Sequence, residues 1–274
     1  MFELSRDVRF AIDPTRGGAV SAVGPNGTAG KPPVARLGEC FYTLTITVAG
    51  EPGAGSGYLL NIKDVDAVVR DVAIPIIAEA AARGDGGGNA LVAAFDALRK
   101  SFPPFELRRI ELALTPYTQL SAQSFTDGSP MIYLRHTFEF AASHRLHDPS
   151  LSEAENVETF GKCCNPHGHG HNYKLVVTLR GTPDASGMLV NFTDLEAVVE
   201  EAIIKPLDHK HLNHEVTEFM EGSPDRLNPS TENIAKVAYE RLKRALPAGA
   251  TLDAVTVWET DRTSCEYRED ARPV

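Results

Sequence analysis

Apolar positions along this chain switch between two spacings, and each switch marks an element. Tyr133 to His144 and His169 to Leu179 alternate apolar and polar side chains with period two, as half-buried strands do, and Thr251 to Thr260 alternates more weakly. Phe192 to Ile204 contains the residues TDLE, a capping-box pattern, and continues with apolar residues spaced for one helix face. Ser230 to Leu246 predicts a second helix, with Ser230 or Thr231 as its cap and Ile234, Val237, Ala238 and Leu242 along one stripe. Strand, strand, helix, helix and further strands predict an α+β module: a four-stranded antiparallel sheet with two helices on one face.

The pattern occurs twice. SGYLLNIKDVDAVVRD (Ser56 to Asp71) matches SGMLVNFTDLEAVVEE (Ser186 to Glu201), and GECFYTLTITVAG (Gly38 to Gly50) matches HGHNYKLVVTLRG (His169 to Gly181). FELSRDVRF near the start matches FEFAASHRL (Phe138 to Leu146), and RRIELALTPYT matches DAVTVWETDRT. The order is the same in both halves, which predicts two tandem modules of ordinary domain size, residues 1–125 and 126–274. Their join is expected near residues 118 to 132, where QLSAQSFTDGSP is polar and turn-rich. The glycine-rich stretches Gly24 to Pro33 and Gly84 to Asn89 read as loops. A phosphate-binding loop would need a preceding strand and a Lys-Ser/Thr ending.

Composition narrows the function. In 274 residues a formal charge of −10 and a pI near 5.4 argue against a nucleic-acid ligand, which calls for a basic face. No apolar run approaches the roughly 18 residues that span a bilayer. The start MFELSRDVRFAID lacks the pattern of a secretory signal, so a cytoplasmic location is expected. Four cysteines, Cys40, Cys163, Cys164 and Cys265, are too few and too oddly placed for a disulfide framework and are expected as reduced thiols.

The chemistry concentrates in GKCCNPHGHGHNYK, residues Gly161 to Lys174. Residues two apart on a strand project to one face, about 7 Å apart along the backbone, so their imidazoles can converge on one ion. Both His167 with His169 and His169 with His171 satisfy that spacing; the regular strand after His171 favours the second pair. His144 is in phase with Phe138, Phe140 and Ala142 and offers a third imidazole. Three imidazoles suit zinc and leave a fourth position for water or substrate, as in a catalytic site. A glycine-loosened turn with solvent-facing histidines fits the same spacing. The first module has Val8, Gly38 and Cys40 at the aligned positions, so the scaffold does not need the histidines. Tyr173, Leu175 and Val177 are expected in the core.

FEFAASHRL, FGKCCNPHGHGHNYK, KPLDHKHLN, STENIA and VWETD, in this order, resemble the 6-pyruvoyl-tetrahydropterin synthase family over nearly all of residues 132 to 270. The resemblance implies a tunnelling fold, whose modules pair their sheets into barrels, and zinc held by His144, His169 and His171. It implies a catalytic Cys163, six positions before the first histidine of HGH, working with Asp208 and His209; Cys164 and His167 depart from the motif. Glu259 resembles the family's pterin anchor, and Thr231 and Glu232 resemble residues of the pterin pocket. The implied reaction converts 7,8-dihydroneopterin triphosphate to 6-pyruvoyl-tetrahydropterin with loss of triphosphate, the Cys163 thiol being lowered by the metal or His209. A 6-carboxy-tetrahydropterin synthase of the queuosine route, an enzyme cleaving the dihydroneopterin side chain, and a non-catalytic zinc- or pterin-binding assembly protein are the alternatives. The carboxy branch places its cysteine where this sequence has Asn165. Arg145, Lys162 and Arg262 are available to face the triphosphate. The first module lacks the site residues, with Ile77 and Leu114 aligned to Asp208 and Glu259, which implies a structural role in a homo-oligomer, three copies forming a pseudo-hexamer.

Overall fold

A computed structural model describes residues 1–16, 19–21, 39–124, 130–247 and 249–269. They form two compact units, Met1–Arg135 with Arg180–Leu189, and His136–Leu179 with Val190–Val274. The Gly24 to Pro33 loop, Gly38 and residues 125–129 lie outside the described residues.

The first unit runs β1 (Phe2–Asp13), β2 (Ala19–Ser21), β3 (Cys40–Gly50), α1 (Ile62–Val68), α2 (Ile74–Ala82), α3 (Gly88–Leu98), β4 (Glu106–Ala113) and β5 (Thr118–Ser124). Its strands pair antiparallel in the order β2, β1, β3, β4, β5. The register sets Val8, Leu44, Leu112 and Leu120 side by side in one row. All four are buried, as are Leu91, Phe95 and Leu98 of α3, because a sheet row and a helix stripe shed water together. One charged pair enters this layer: Arg6, in the row of Ile46 and Ile110, donates to both carboxylate oxygens of Asp66 at 2.8 and 2.7 Å.

Two expectations change here. The stretch expected as a polar join contributes β5, which pairs with β4 from Gln119 opposite Ala113 to Gln123 opposite Arg109. Its small Ser and Ala residues hide the alternation from a hydrophobicity reading, although Leu120, Ser121 and Ala122 are buried. The sheet also has a fifth, three-residue strand, β2. The glycines of GDGGGN serve a close backbone approach: Gly86 N donates to Ser186 O at 2.7 Å and Gly88 N to Gly187 O at 2.9 Å. A Cβ on Gly88 would lie 2.6 Å from that carbonyl oxygen.

The second unit takes β6 (Pro130–His144) from His136 onward, then α4 (Glu153–Phe160), β7 (His169–Gly181), α5 (Phe192–Val199), α6 (Lys205–Leu207), β8 (Lys210–His211), α7 (Leu212–Glu215), α8 (Thr231–Ala245), β9 (Thr251–Thr260) and β10 (Thr263–Tyr267). The strand order is β6, β7, β9, β10, with β8 joined to β6. Tyr173, Leu175, Val177 and Leu179 are wholly buried, as the alternation of β7 predicts.

Here the expected wholly antiparallel four-stranded sheet gains β8, whose Lys210 and His211 pair in parallel with Ala142 and Ser143. The helix expected from Phe192 to Ile204 widens into a π-helical turn over Glu200–Ile204 before α6, and Asn191, not a residue of TDLE, caps it by accepting from Thr193 N. The widening precedes Pro206, which cannot donate a helical hydrogen bond and crowds the preceding turn. A matching π turn, Val69–Ala73, precedes Pro75 in the first unit, where Asn61 is the cap. Ser230 caps α8. Among the described residues, no helix is long and apolar enough to cross a membrane.

Candidate metal centre

β6 ends on His144 and β7 begins with His169 and His171, and the three imidazoles converge, their ligand atoms lying within 4.8 Å of one another. His144 is fully buried, and its Nδ1 lies 2.7 Å from the Pro229 carbonyl oxygen. That oxygen can only accept, so Nδ1 carries the proton and Nε2 keeps its lone pair, 3.1 Å from His169 Nε2. Burial, countered by the Pro229 bond and reinforced by the neighbouring imidazoles, lowers His144 to about 4. Burial also lowers His169. His169 Nδ1 and His171 Nε2 are buried without a hydrogen-bond partner. Neutral imidazoles that bring His144 Nε2, His169 Nε2 and the unpartnered His171 Nε2 together suit a divalent cation of borderline softness.

The glycines between the histidines bring the strands together. Gly168 has φ +69°, and a Cβ there would sit 2.8 Å from the His144 carbonyl oxygen, so β7 can start beside the end of β6 only without a side chain. A loosened turn with solvent-facing histidines is therefore not what forms. His167 is the exposed one, its N–H donating to Asn165 Oδ1 at 3.0 Å, outside the cluster.

Two supports escape a reading of the sequence. Pro229 orients His144 from the segment before α8. Asn213, fully buried, accepts from Arg145 N at 2.7 Å and donates to Arg145 O at 2.9 Å, fixing the backbone next to His144. Nothing in the polar turn HLNHE marks Asn213 as buried, and nothing local marks Pro229.

Glu259, near the end of β9, reaches the same cluster. Its Oε1 lies 3.5 Å from both His144 Nε2 and His171 Nε2. Cys163 and Cys164 occupy a 3₁₀ turn, Gly161–Cys164. All four cysteines are free thiols. Cys164 is buried and donates to Gly161 O, whereas Cys163 is half-buried. Burial first, then the charges of Glu259 and Cys164, push the Cys163 thiol up. The lowering expected for it does not arise from the protein's own groups, because its nearest charge is a carboxylate rather than an imidazolium.

Asp208 and His209 form a pair, His209 Nδ1 to Asp208 Oδ2 at 2.7 Å. The pair is clamped to β6: Ala141 N donates to Asp208 Oδ1 at 2.8 Å, and His209 N donates to Ala141 O at 2.6 Å. Chiefly through the Ala141 bond, Asp208 is held below the usual carboxylate range. His209 adopts φ +56°, an uncommon left-handed conformation for a histidine, and its imidazole is 82% exposed. Among the described residues no hydrogen bond or ion pair joins this pair to Cys163. Thr231 is buried and Glu232 exposed in the first turn of α8. Lys162 and Arg262 are exposed; Arg145 is largely buried, its Nε donating to Cys164 O at 3.0 Å.

Fold and site together define an α+β protein with a tri-histidine centre beside a thiol. The family model described as 6-pyruvoyl tetrahydropterin synthase matches residues 133–270, and the chain belongs to that family. The 6-pyruvoyl tetrahydrobiopterin synthase of Homo sapiens is 47% identical over 130 residues, 47% of this chain and 86% of that protein. That of Drosophila melanogaster is 41% identical over 140 residues, covering 51% and 80% respectively. The solved structure of Caenorhabditis elegans 6-pyruvoyl tetrahydropterin synthase is 36% identical, with a TM-score of 0.48 over 52% of this chain and 97% of that one.

Proposed function

We propose that this protein converts 7,8-dihydroneopterin triphosphate to 6-pyruvoyl-tetrahydropterin with elimination of triphosphate. The observation that carries this reading is the convergence of His144, His169 and His171, with ligand atoms within 4.8 Å, beside Cys163 and Glu259. The three histidines would hold zinc. Zinc held there would supply Lewis acidity toward the hydroxyls of the substrate.

Cys163 takes the base role: it removes a proton from a hydroxyl-bearing carbon of the substrate, the triphosphate departs, and tautomerisation leaves two ketones with the electrons still in the product. Cys164 is set aside because its sulfur is buried and already donates to a carbonyl. The hydrogen bond from His209 to Asp208 orients the ring, which supports a role for the exposed His209 in passing protons to solvent or to substrate. Glu259 takes the role of pterin anchor, its carboxylate accepting two parallel hydrogen bonds from the ring's amino group and N–H, with Thr231 and Glu232 lining the pterin pocket.

The repeated order of strands, the paired Asn caps and the paired π turns before proline support a tandem duplication, with modules at residues 1–125 and 126–274. The first module, lacking the histidines, serves as a structural partner in a barrel-forming homo-oligomer, three copies giving six modules. Light scattering that returned a monomer at micromolar concentration would remove that part.

The test of the reaction is one incubation of zinc-loaded protein with 7,8-dihydroneopterin triphosphate, products resolved by mass, beside Cys163→Ala. Triphosphate with a pyruvoyl product is expected from the wild type alone. A carboxylated or acetaldehyde-derived product would reassign the protein to one of the neighbouring activities, and bound but unaltered substrate would make it a binding protein.

A further inference from the structure

Where β6 ends, the backbone leaves the sheet and opens a cavity of about 660 Å³, walled on one side by Arg145 and His147 and on the other by Ser223, Arg226 and Asn228. Two of these residues are sequence neighbours of the metal-centre scaffold. Arg145 follows His144, and Asn228 precedes Pro229, whose carbonyl orients the His144 ring. The thiol turn is adjacent as well: Arg145 Nε donates to Cys164 O at 3.0 Å, and Leu146 N to Cys163 O at 2.9 Å.

The first unit does something different at the aligned stretch. There β1 runs on through Phe10, Ala11 and Ile12, all buried, with no break after Val8. In the second unit the backbone breaks after His144 and is held in the broken course by polar groups: His147 N donates to Asn228 Oδ1 at 3.2 Å, and Arg226 donates to His147 O at 2.6 Å. An apolar strand end has become a polar recess carrying two guanidiniums. The recess's acids have local engagements: Asp148 accepts from Ser150 N and Oγ at 2.9 and 2.7 Å, and Glu221 lies 4.0 Å from His214. Glu153, 76% exposed, meets Arg145 and His147 only at 3.6 and 3.4 Å, a loose screen that an anion can displace.

We propose that this cavity seats the phosphoryl groups of the substrate, with Arg226 and Arg145 as the residues that distinguish a phosphorylated from an unphosphorylated ligand. This rests on the function proposed above. Guanidiniums recognise phosphate oxygens through forked, charge-assisted hydrogen bonds, and a pair of them in a recess joined through Arg145 and Leu146 to the thiol turn would bind the phosphoryl end of the substrate.

The test titrates inorganic triphosphate into zinc-loaded protein by calorimetry, with zinc per protomer measured before and after. Arg226→Ala is expected to weaken binding about tenfold or more, the scale of one charge-assisted contact, and Arg226→Lys to recover part of it. KM for the triphosphate substrate should rise in step while kcat and metal content stay within about twofold. Should Arg226→Ala lose its fold by circular dichroism, Ser223→Asp, which adds a negative charge to the wall, decides in its place. Unchanged triphosphate affinity in the folded variant, or no triphosphate binding by wild type, overturns the site. Triphosphate bound through Arg226 by a protein that does not turn over the pterin would uphold the cavity and sink the reaction.

Discussion

Two aligned strand pairs, β1 with β3 and β6 with β7, show what it takes to turn a scaffold into a site. In the first, Val8 sits in a buried apolar row and Phe10 packs on Tyr42, ring centroids 5.7 Å apart. In the second, Phe140 and Tyr173 stack at 5.0 Å, but further along the strand the row ends in His144 and the two histidines of β7. Aromatic packing is common to both pairs; among the described residues the imidazole cluster lies at the strand ends of one. There, imidazoles replace apolar contacts, and the unpartnered, buried His171 Nε2 costs stability unless a cation satisfies it. The first unit has a charged pair in that layer, Arg6 with Asp66, and each partner satisfies the other.

Substitutions in the two units should therefore separate activity from stability. The largest effect is expected for Cys163→Ala, which should cut triphosphate release about a thousandfold, as loss of a catalytic base does, with zinc retained. Cys40→Ala, at the exposed strand position of the first unit aligned with His171, should leave turnover unchanged in the same assay. Next, His171→Ala should release zinc on dialysis, read as metal per protomer by elemental analysis, because two imidazoles are too few protein ligands for a stable site. Zinc retained at full occupancy would mean that Glu259 completes the coordination.

Asp66→Ala should act the other way. It strands the largely buried Arg6 guanidinium, whose pKa the hydrogen bond to Asp66 raises, and should lower unfolding free energy by about 2 kcal/mol, reduced from the fully buried case by partial exposure, with kcat unchanged. Urea denaturation beside steady-state kinetics checks both halves of that statement.

The smallest effect is a pH dependence. In zinc-free protein His144 is lowered to about 4 from an ordinary value of 6.5. The unfolded state binds the proton first as pH falls, so this residue's contribution is complete above pH 6.5 and is lost progressively from 6.5 toward about 4. His144→Val, which copies the first unit's residue, should flatten the urea midpoint across that window. An equally steep profile in the variant would place the titration elsewhere.

Much of this molecule is legible in the order of its residues. The alternation of His169 to Leu179 fixes which residues share a face, and it places His169, His171, Tyr173 and Leu175 together without knowledge of any other strand. Asn61 and Asn191 cap their helices through the residues just after them, so their signals are local, although the TDLE pattern points to the wrong turn. β5 is hidden because Ser and Ala are neutral to a hydrophobicity reading and become strand residues only through the partner that β4 offers.

The sequence by itself determined the main strands and two main helices of the second unit and the three histidines, because periodicity and capping act within a few residues and are written into their order. Tertiary structure alone decided that Glu259 joins the imidazoles, that Pro229 orients a ring 85 residues away, that Asp208 grips the backbone of Ala141, and that Arg226 closes a recess beside His147. Each of those pairings spans more than sixty residues, and no local spacing encodes which distant carbonyl or carboxylate a buried group will meet once the core has closed around it.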